Sequence, residues 1–130
     1  MKEAVYTDQA HKGVGPYSQA VKANGFIFIS GQLALDPASG DIIGGTIEAQ
    51  TEQVLKNLTA ILKAAGSNWE NVVKTTVFLK DMNHFTRMNE IYVGALKGVP
   101  PARTTVEVAR LPRDAMIEID VIASVNDGSE

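Results

Sequence analysis

The spacing of apolar positions changes along the chain, and each change predicts an element. Residues 17–22 and 26–30 read as two short strands around Ala23-Asn24-Gly25. Asn-Gly favours a tight hairpin because both residues tolerate positive φ. Asp36-Pro37-Ala38-Ser39-Gly40 carries the chemistry of a turn. From Ile47 the period lengthens. Ile47, Val54, Leu55, Leu58, Ile61, Leu62 and Ala65 recur at three- and four-residue steps, which predicts one helix face. Thr46 is the expected N-cap and Gly66 the expected stop.

Residues 72–80 alternate, with Val73, Thr75, Val77 and Leu79 on one side and Lys74, Thr76, Phe78 and Lys80 on the other. A second helix is expected from about 83 to 96, with Phe85, Met88, Tyr92 and Leu96 on one side; Gly98 and Pro100-Pro101 end it. Two strands follow, 103–110 and 116–125, read as a final hairpin through Leu111-Pro112-Arg113-Asp114-Ala115. The predicted order is ββ-α-β-α-ββ. This is an α+β layer with two helices packed on one face of a mixed sheet.

Ile117, Ile119, Val121, Ala123 and Val125 form one apolar face of the last strand, expected under the helices. In the strand before it, Thr104, Val106 and Val108 take the apolar side. Period-two geometry then places Arg103, Thr105, Glu118 and Asp120 away from the helix layer. That opposite face is either solvated or covered by another subunit.

Composition narrows the class. The 130 residues suit one domain, 1–130, which buries roughly two-thirds of the surface of the unfolded chain. Apolar residues are 45% and charged residues 21%, the balance of a globular chain. There is no cysteine, so disulfides, thiolate metal sites and a Cys nucleophile are excluded. The net charge of −3 lacks the basic footprint of a nucleic-acid binder. No apolar stretch follows Lys2 as in a secretion signal, and none approaches the length of a membrane span. A cytoplasmic location is the expectation.

Much familiar chemistry has no support. His11 and His84 have no HExxH spacing around them, so no metal is expected, and both are expected at the surface. Gly13-Val14-Gly15 is not preceded by a strand and runs into Pro16, so it reads as a turn rather than a dinucleotide loop. Ser30 lacks the GxSxG context of a nucleophile elbow. Trp69 reads as a packing lid after the first helix.

Arg103 stands out among the remaining candidates because Pro100-Pro101-Ala102 fixes the entry to its strand. Its planar fork matches a carboxylate ligand, or it pairs with Glu107 or Asp120. Glu118, between Ile117 and Ile119, either has a raised pKa that suits it to handle a proton or a water, or is simply solvated. Tyr17 offers a ring for a planar ligand or seals the sheet edge. Ser30 and Asn89 are hydrogen-bonding candidates, or they satisfy a turn and a helix.

Several segments together resemble the RidA/YjgF family of reactive intermediate deaminases. They are Gly15-Pro16-Tyr17-Ser18-Gln19-Ala20, Ile29-Ser30-Gly31-Gln32, Met88-Asn89-Glu90-Ile91-Tyr92, the run from Pro101 to Pro112, and Ile117-Glu118-Ile119. The resemblance implies a chorismate-mutase-like α+β fold, assembled as a homotrimer with pockets between subunits. It also implies hydrolysis of 2-imino acids such as 2-iminobutanoate and 2-iminopropanoate to 2-oxo acids and ammonia, with no cofactor. By the same resemblance Arg103 grips the substrate carboxylate and Glu118 holds the attacking water. Tyr17 forms an aromatic wall, and Ser30, Gly31 and Asn89 line the pocket. Thr105 falls where many members have cysteine, and 93–98 departs from a more aromatic ending. The alternatives are a non-catalytic binder of small carboxylates and, less favoured by the charge, an endoribonuclease or translation inhibitor.

Overall fold

The computed structural model describes residues 1–13 and 15–125; Val14 of the glycine-rich segment and residues 126–130 lie outside that description. The elements are β1 (Glu3–Val5), β2 (Ala20–Ala23), β3 (Phe26–Gln32), α1 (Ile47–Ala64), β4 (Val72–Leu79), α2 (Phe85–Tyr92), β5 (Ala102–Glu107) and β6 (Ile117–Ser124). The strands form one mixed sheet in the order β1-β2-β3-β6-β4-β5. The sequence reading omitted β1, which pairs antiparallel to β2 through Ala4 and Val21. Three residues are too few to show a period.

Local signals explain the best-defined elements. Asn24 and Gly25 adopt φ of 53° and 81°, the paired positive values of the expected hairpin. Thr46 caps α1 by accepting from the Ala49 amide at 3.1 Å. Gly66, at φ 80°, ends it: its amide donates to Lys63 O, and Ser67 N donates to Leu62 O. Ile47, Val54, Leu58, Ile61 and Leu62 of α1 pack on Ile27, Ile29, Ile117, Ile119 and Val121 of β3 and β6 in one core. Trp69 closes this core, and its indole N–H donates to Thr59 Oγ1 at 2.8 Å. Buried polar side chains of α1 fasten the loops around the core. Asn57 donates to Leu33 O and Leu35 O, and Gln50 donates to Gly44 O while accepting from Met116 N. Neither α1 nor any other helix among the described residues is long and apolar enough to cross a membrane.

Tertiary pairing corrects the sequence reading in three places. First, 103–110 and 116–125 do not form a hairpin. β5 is an edge strand, parallel to β4, and α2 makes the crossover between them. β6 instead lies between β3 and β4, antiparallel to both. Second, a register shift between Val72 and Lys74 buries Val72 and leaves Val73 46% exposed, the reverse of the expected alternation. Third, Arg103 is level with Thr75, and Thr105 with Val77, both fully buried on the helix face. Arg103 and Thr105 therefore face the helix layer, whereas Glu118 and Asp120, level with Phe78 and Thr76, lie on the opposite face as expected. In addition His84, expected at the surface, is partly buried at the start of α2.

Candidate functional site

The seven candidate residues do not form one pocket in the chain. They separate into two half-sites on opposite faces of the sheet.

The first half-site forms where β3 meets β6. Ile29 pairs with Val121 and Gln32 with Ile119, so Ser30 and Gly31 together oppose Asp120. This is a bulge, which bends the strand and re-aims its side chains. Tyr17, Ser30, Gly31, Pro112 and Glu118 line a cavity of about 360 Å³ here. A Cβ on Gly31 would stand 2.2 Å from Glu118 Oε2, so glycine is what lets the carboxylate lie against the bulge. The Ser30 hydroxyl donates to Ser18 O at 2.7 Å, which leaves its lone pairs for a ligand. Tyr17 is 52% exposed and its ring lies over Gly13 and Gly15.

Burial pushes the Glu118 carboxyl above the ordinary carboxylate range, and the charge of Asp120 adds to the effect. Burial raises Asp120 too, against a hydrogen bond from Thr76 and the charge of Lys74. A carboxylate that loses its proton reluctantly and sits in a cavity is suited to take one from water.

The second half-site lies between α2 and β5. Asn89, Tyr92, Val93, Leu96, Pro100, Pro101 and Arg103 line a cavity of about 380 Å³. Phe85, Asn89 and Tyr92 fall at i, i+4 and i+7 on α2, one stripe of the helix. That stripe meets the guanidinium. Arg103 NH1 donates to Asn89 Oδ1 at 2.7 Å, and Cζ lies 4.9 Å from the Tyr92 ring centre and 5.4 Å from that of Phe85.

Neither Glu107 nor Asp120, the alternative partners for Arg103, pairs with it. Glu107 accepts from the Met82 amide at 2.8 Å, and Asp120 is on the other face. The ion pairs among the described residues are Arg87–Glu48 and Arg110–Asp114. Arg103 is thus a partly buried cation, held by an amide oxygen and two aromatic faces, with no anionic partner among the described residues. Desolvating a cation is costly, so such a group favours an incoming carboxylate. Thr105, on the same face, has a buried Oγ1 without a hydrogen-bond partner among the described residues.

Phe85 and Tyr92 escaped the sequence reading as site residues. Their helical spacing marked them only as core, and nothing in the sequence placed Arg103 against them. The bulge was equally hidden, because one extra residue leaves no signature in a short apolar run.

Gly31→Ala gives a direct check on the first half-site. The added methyl must displace the Glu118 carboxylate, while the backbone at position 31 is not in the left-handed region. The expected result is a folded protein with an unchanged melting temperature and a rate of any reaction that uses Glu118 lowered roughly 10–100-fold, less than the ~10²–10⁴-fold of removing a positioned acid–base group outright.

Comparison with known proteins places this geometry. Residues 7–125 match a family described as Endoribonuclease L-PSP. A RutC family protein of Pyrococcus horikoshii is 54% identical, covering 95% of this chain and 98% of its own. A mouse protein named 2-iminobutanoate/2-iminopropanoate deaminase is 49% identical, over 95% of this chain and 91% of its own. The crystal structure of RidA from the Antarctic bacterium Psychrobacter sp. PAMC 21119 superposes with a TM-score of 0.90 at 42% identity, covering 95% of this chain and 99% of that one. With the family match running from the N-terminal segment through β6, and the mixed sheet and its two helices shared, the chain belongs to the RidA/YjgF family, whose family description is Endoribonuclease L-PSP.

Proposed function

We propose that the protein hydrolyses 2-imino acids such as 2-iminobutanoate and 2-iminopropanoate, releasing ammonia and the 2-oxo acid. The observation that carries this reading is the Arg103 guanidinium, poised in a cavity with no carboxylate partner among the described residues. Arg103 binds the substrate carboxylate through its fork, and Asn89 fixes the fork. Glu118 removes a proton from a water that adds to the C=N carbon, and the imine nitrogen takes up a proton. Collapse of the resulting carbinolamine expels ammonia and forms the C=O bond. No electron acceptor is needed, and the residues named supply the charge and the proton transfer. The 49% identity to a protein named for this reaction supports the assignment.

The separation of the half-sites dictates how they act together. Arg103 is level with Thr75 and Glu118 with Phe78, three residues apart along β4, and they project from opposite faces. At ~3.3 Å per residue the offset along β4 is about 10 Å, before the thickness of the sheet is added. A four-carbon acid cannot touch both. The active cleft is therefore built from two copies of the chain, one giving Arg103 and Asn89, the other Glu118, Tyr17, Ser30 and Gly31.

The face that carries Glu118 also presents Phe26, Phe28, Phe78, Val106 and Ile122, with Phe28 46% exposed. Its apolar character suits burial against further copies, and a closed trimer satisfies every such face. Phe28→Glu is expected to reduce the assembly from three copies to one and to remove activity with it. Light scattering reads the first effect. A trimeric, active variant would reject the composite cleft.

A threonine dehydratase supplies the enamine/imine pair for the decisive assay. Accelerated loss of imine absorbance with matching ammonia release supports the reading. Carboxylate binding that needs Arg103 but releases no ammonia would replace it with a non-catalytic binder.

A further inference from the structure

We propose that Thr75 and Tyr92 are positioning residues for Arg103: the hydrogen bond between their hydroxyls locks the aromatic face on which the guanidinium rests. The inference rests on the proposed role of Arg103 as the carboxylate anchor, and it concerns how a long, flexible side chain is made into a fixed receptor.

Arg103 is the second residue of an edge strand and has no carboxylate to orient it among the described residues. Asn89 holds one nitrogen, NH1, at 2.7 Å. One hydrogen bond leaves the fork free to rotate about that contact. The remaining constraint is the pair of rings, with Tyr92 the closer at 4.9 Å against 5.4 Å for Phe85. A cation–π contact orients a guanidinium only while the ring itself stays in place.

Tyr92 is 5% exposed, and its Oη lies 2.7 Å from Thr75 Oγ1 in a buried hydrogen bond. Thr75 is fully buried, and it is the residue level with Arg103 on the neighbouring strand. The strand rung that carries the guanidinium thus also carries the hydroxyl that pins the tip of the ring beneath it. The ring cannot swing away from the sheet without leaving two buried hydroxyls unpaired. The packing of α2 explains why position 92 is apolar in body. It does not explain why the ring has a hydroxyl, nor why its partner is Thr75 on a side of β4 whose other buried residues, Val72, Val77 and Leu79, are apolar.

The test uses the intact protein with Thr75→Val, Tyr92→Phe and the double variant. KM for 2-iminobutanoate and the Kd for 2-oxobutanoate by calorimetry are each expected to rise roughly tenfold in the single variants, with a smaller fall in kcat, because a guanidinium that is loosened rather than removed binds the carboxylate less well and places the imine carbon less closely. The double variant should show the same rise and no more, because the two hydroxyls act as one device. Its melting temperature should return toward wild type, since neither hydroxyl is then left unpaired. Raised KM together with restored stability separates positioning from a structural role. The Arg103 guanidinium ¹⁵N–¹H signals should exchange faster in all three variants. Folded variants with wild-type KM, Kd and guanidinium exchange would overturn the inference. If the single variants do not fold, the double variant decides alone. If the wild type hydrolyses no imine, the deaminase reading fails, and guanidinium exchange with 2-oxobutanoate binding still decides the lock.

Discussion

Arg103→Ala is expected to lower kcat/KM for 2-iminobutanoate by roughly 10²–10⁴-fold. Two charge-assisted hydrogen bonds contribute about 1.5–3 kcal/mol each, and 1.4 kcal/mol is a factor of ten. Most of the loss should appear in KM, but the guanidinium also fixes where the imine carbon sits, so kcat should fall too. Stability should change little. Arg103 has no ion pair to break among the described residues, and its removal relieves a partly desolvated cation. Arg103→Lys separates charge from geometry. A lysine keeps the charge but not the fork or the flat face that stacks on Tyr92. Its expected rate is intermediate, roughly tenfold to 100-fold below wild type. Steady-state kinetics on dehydratase-generated imine measure both. Wild-type turnover in Arg103→Ala would remove the basis of the proposed function.

The second large effect is expected for Glu118→Gln. Loss of a positioned general base costs about 10²–10⁴-fold, and here it should fall on kcat with KM nearly unchanged, because Glu118 does not share the half-site of Arg103. The wild-type enzyme should lose activity as pH falls through the raised Glu118 pKa, above the ordinary glutamate value of 4.5. The same shift has a consequence for stability. With the folded pKa above the unfolded one, the folded state binds more protons between the two values. Stability therefore falls as pH rises through that window, and the deficit persists above it. Glu118→Gln removes the deficit, so the variant should melt higher than wild type at pH 7 and not at pH 3. A variant that is slower yet more stable at neutral pH would mark Glu118 as held for chemistry at the expense of the fold.

The parts legible in the sequence were those with local physical causes. Thr46, the α1 stripe and Gly66 made a helix readable to within a residue at each end. Asn24-Gly25 made a hairpin readable from two residues. The alternation of β6 correctly divided Ile117, Ile119, Val121 and Ala123 from Glu118, Asp120 and Ile122. The reading failed at β5 because its alternation is ambiguous. Ala102, Thr104 and Val106 are the more apolar set, yet they lie on the face away from the helices, where apolar character suits contact with another copy. Arg103 and Thr105 took the helix face because a parallel strand's register comes from the crossover through α2, not from its own composition.

The sequence by itself determined the helices, the strand that carries Glu118, the class of fold and the residues worth testing, because capping, periodicity and turn preference act over a few neighbouring positions. Only the tertiary structure decided that β6 runs between β3 and β4, that the Ser30-Gly31 bulge makes room for a carboxylate, and that Arg103 and Glu118 stand on opposite faces of one sheet. Those outcomes depend on which distant strands share hydrogen bonds, and backbone hydrogen bonding carries no side-chain label that a single sequence displays.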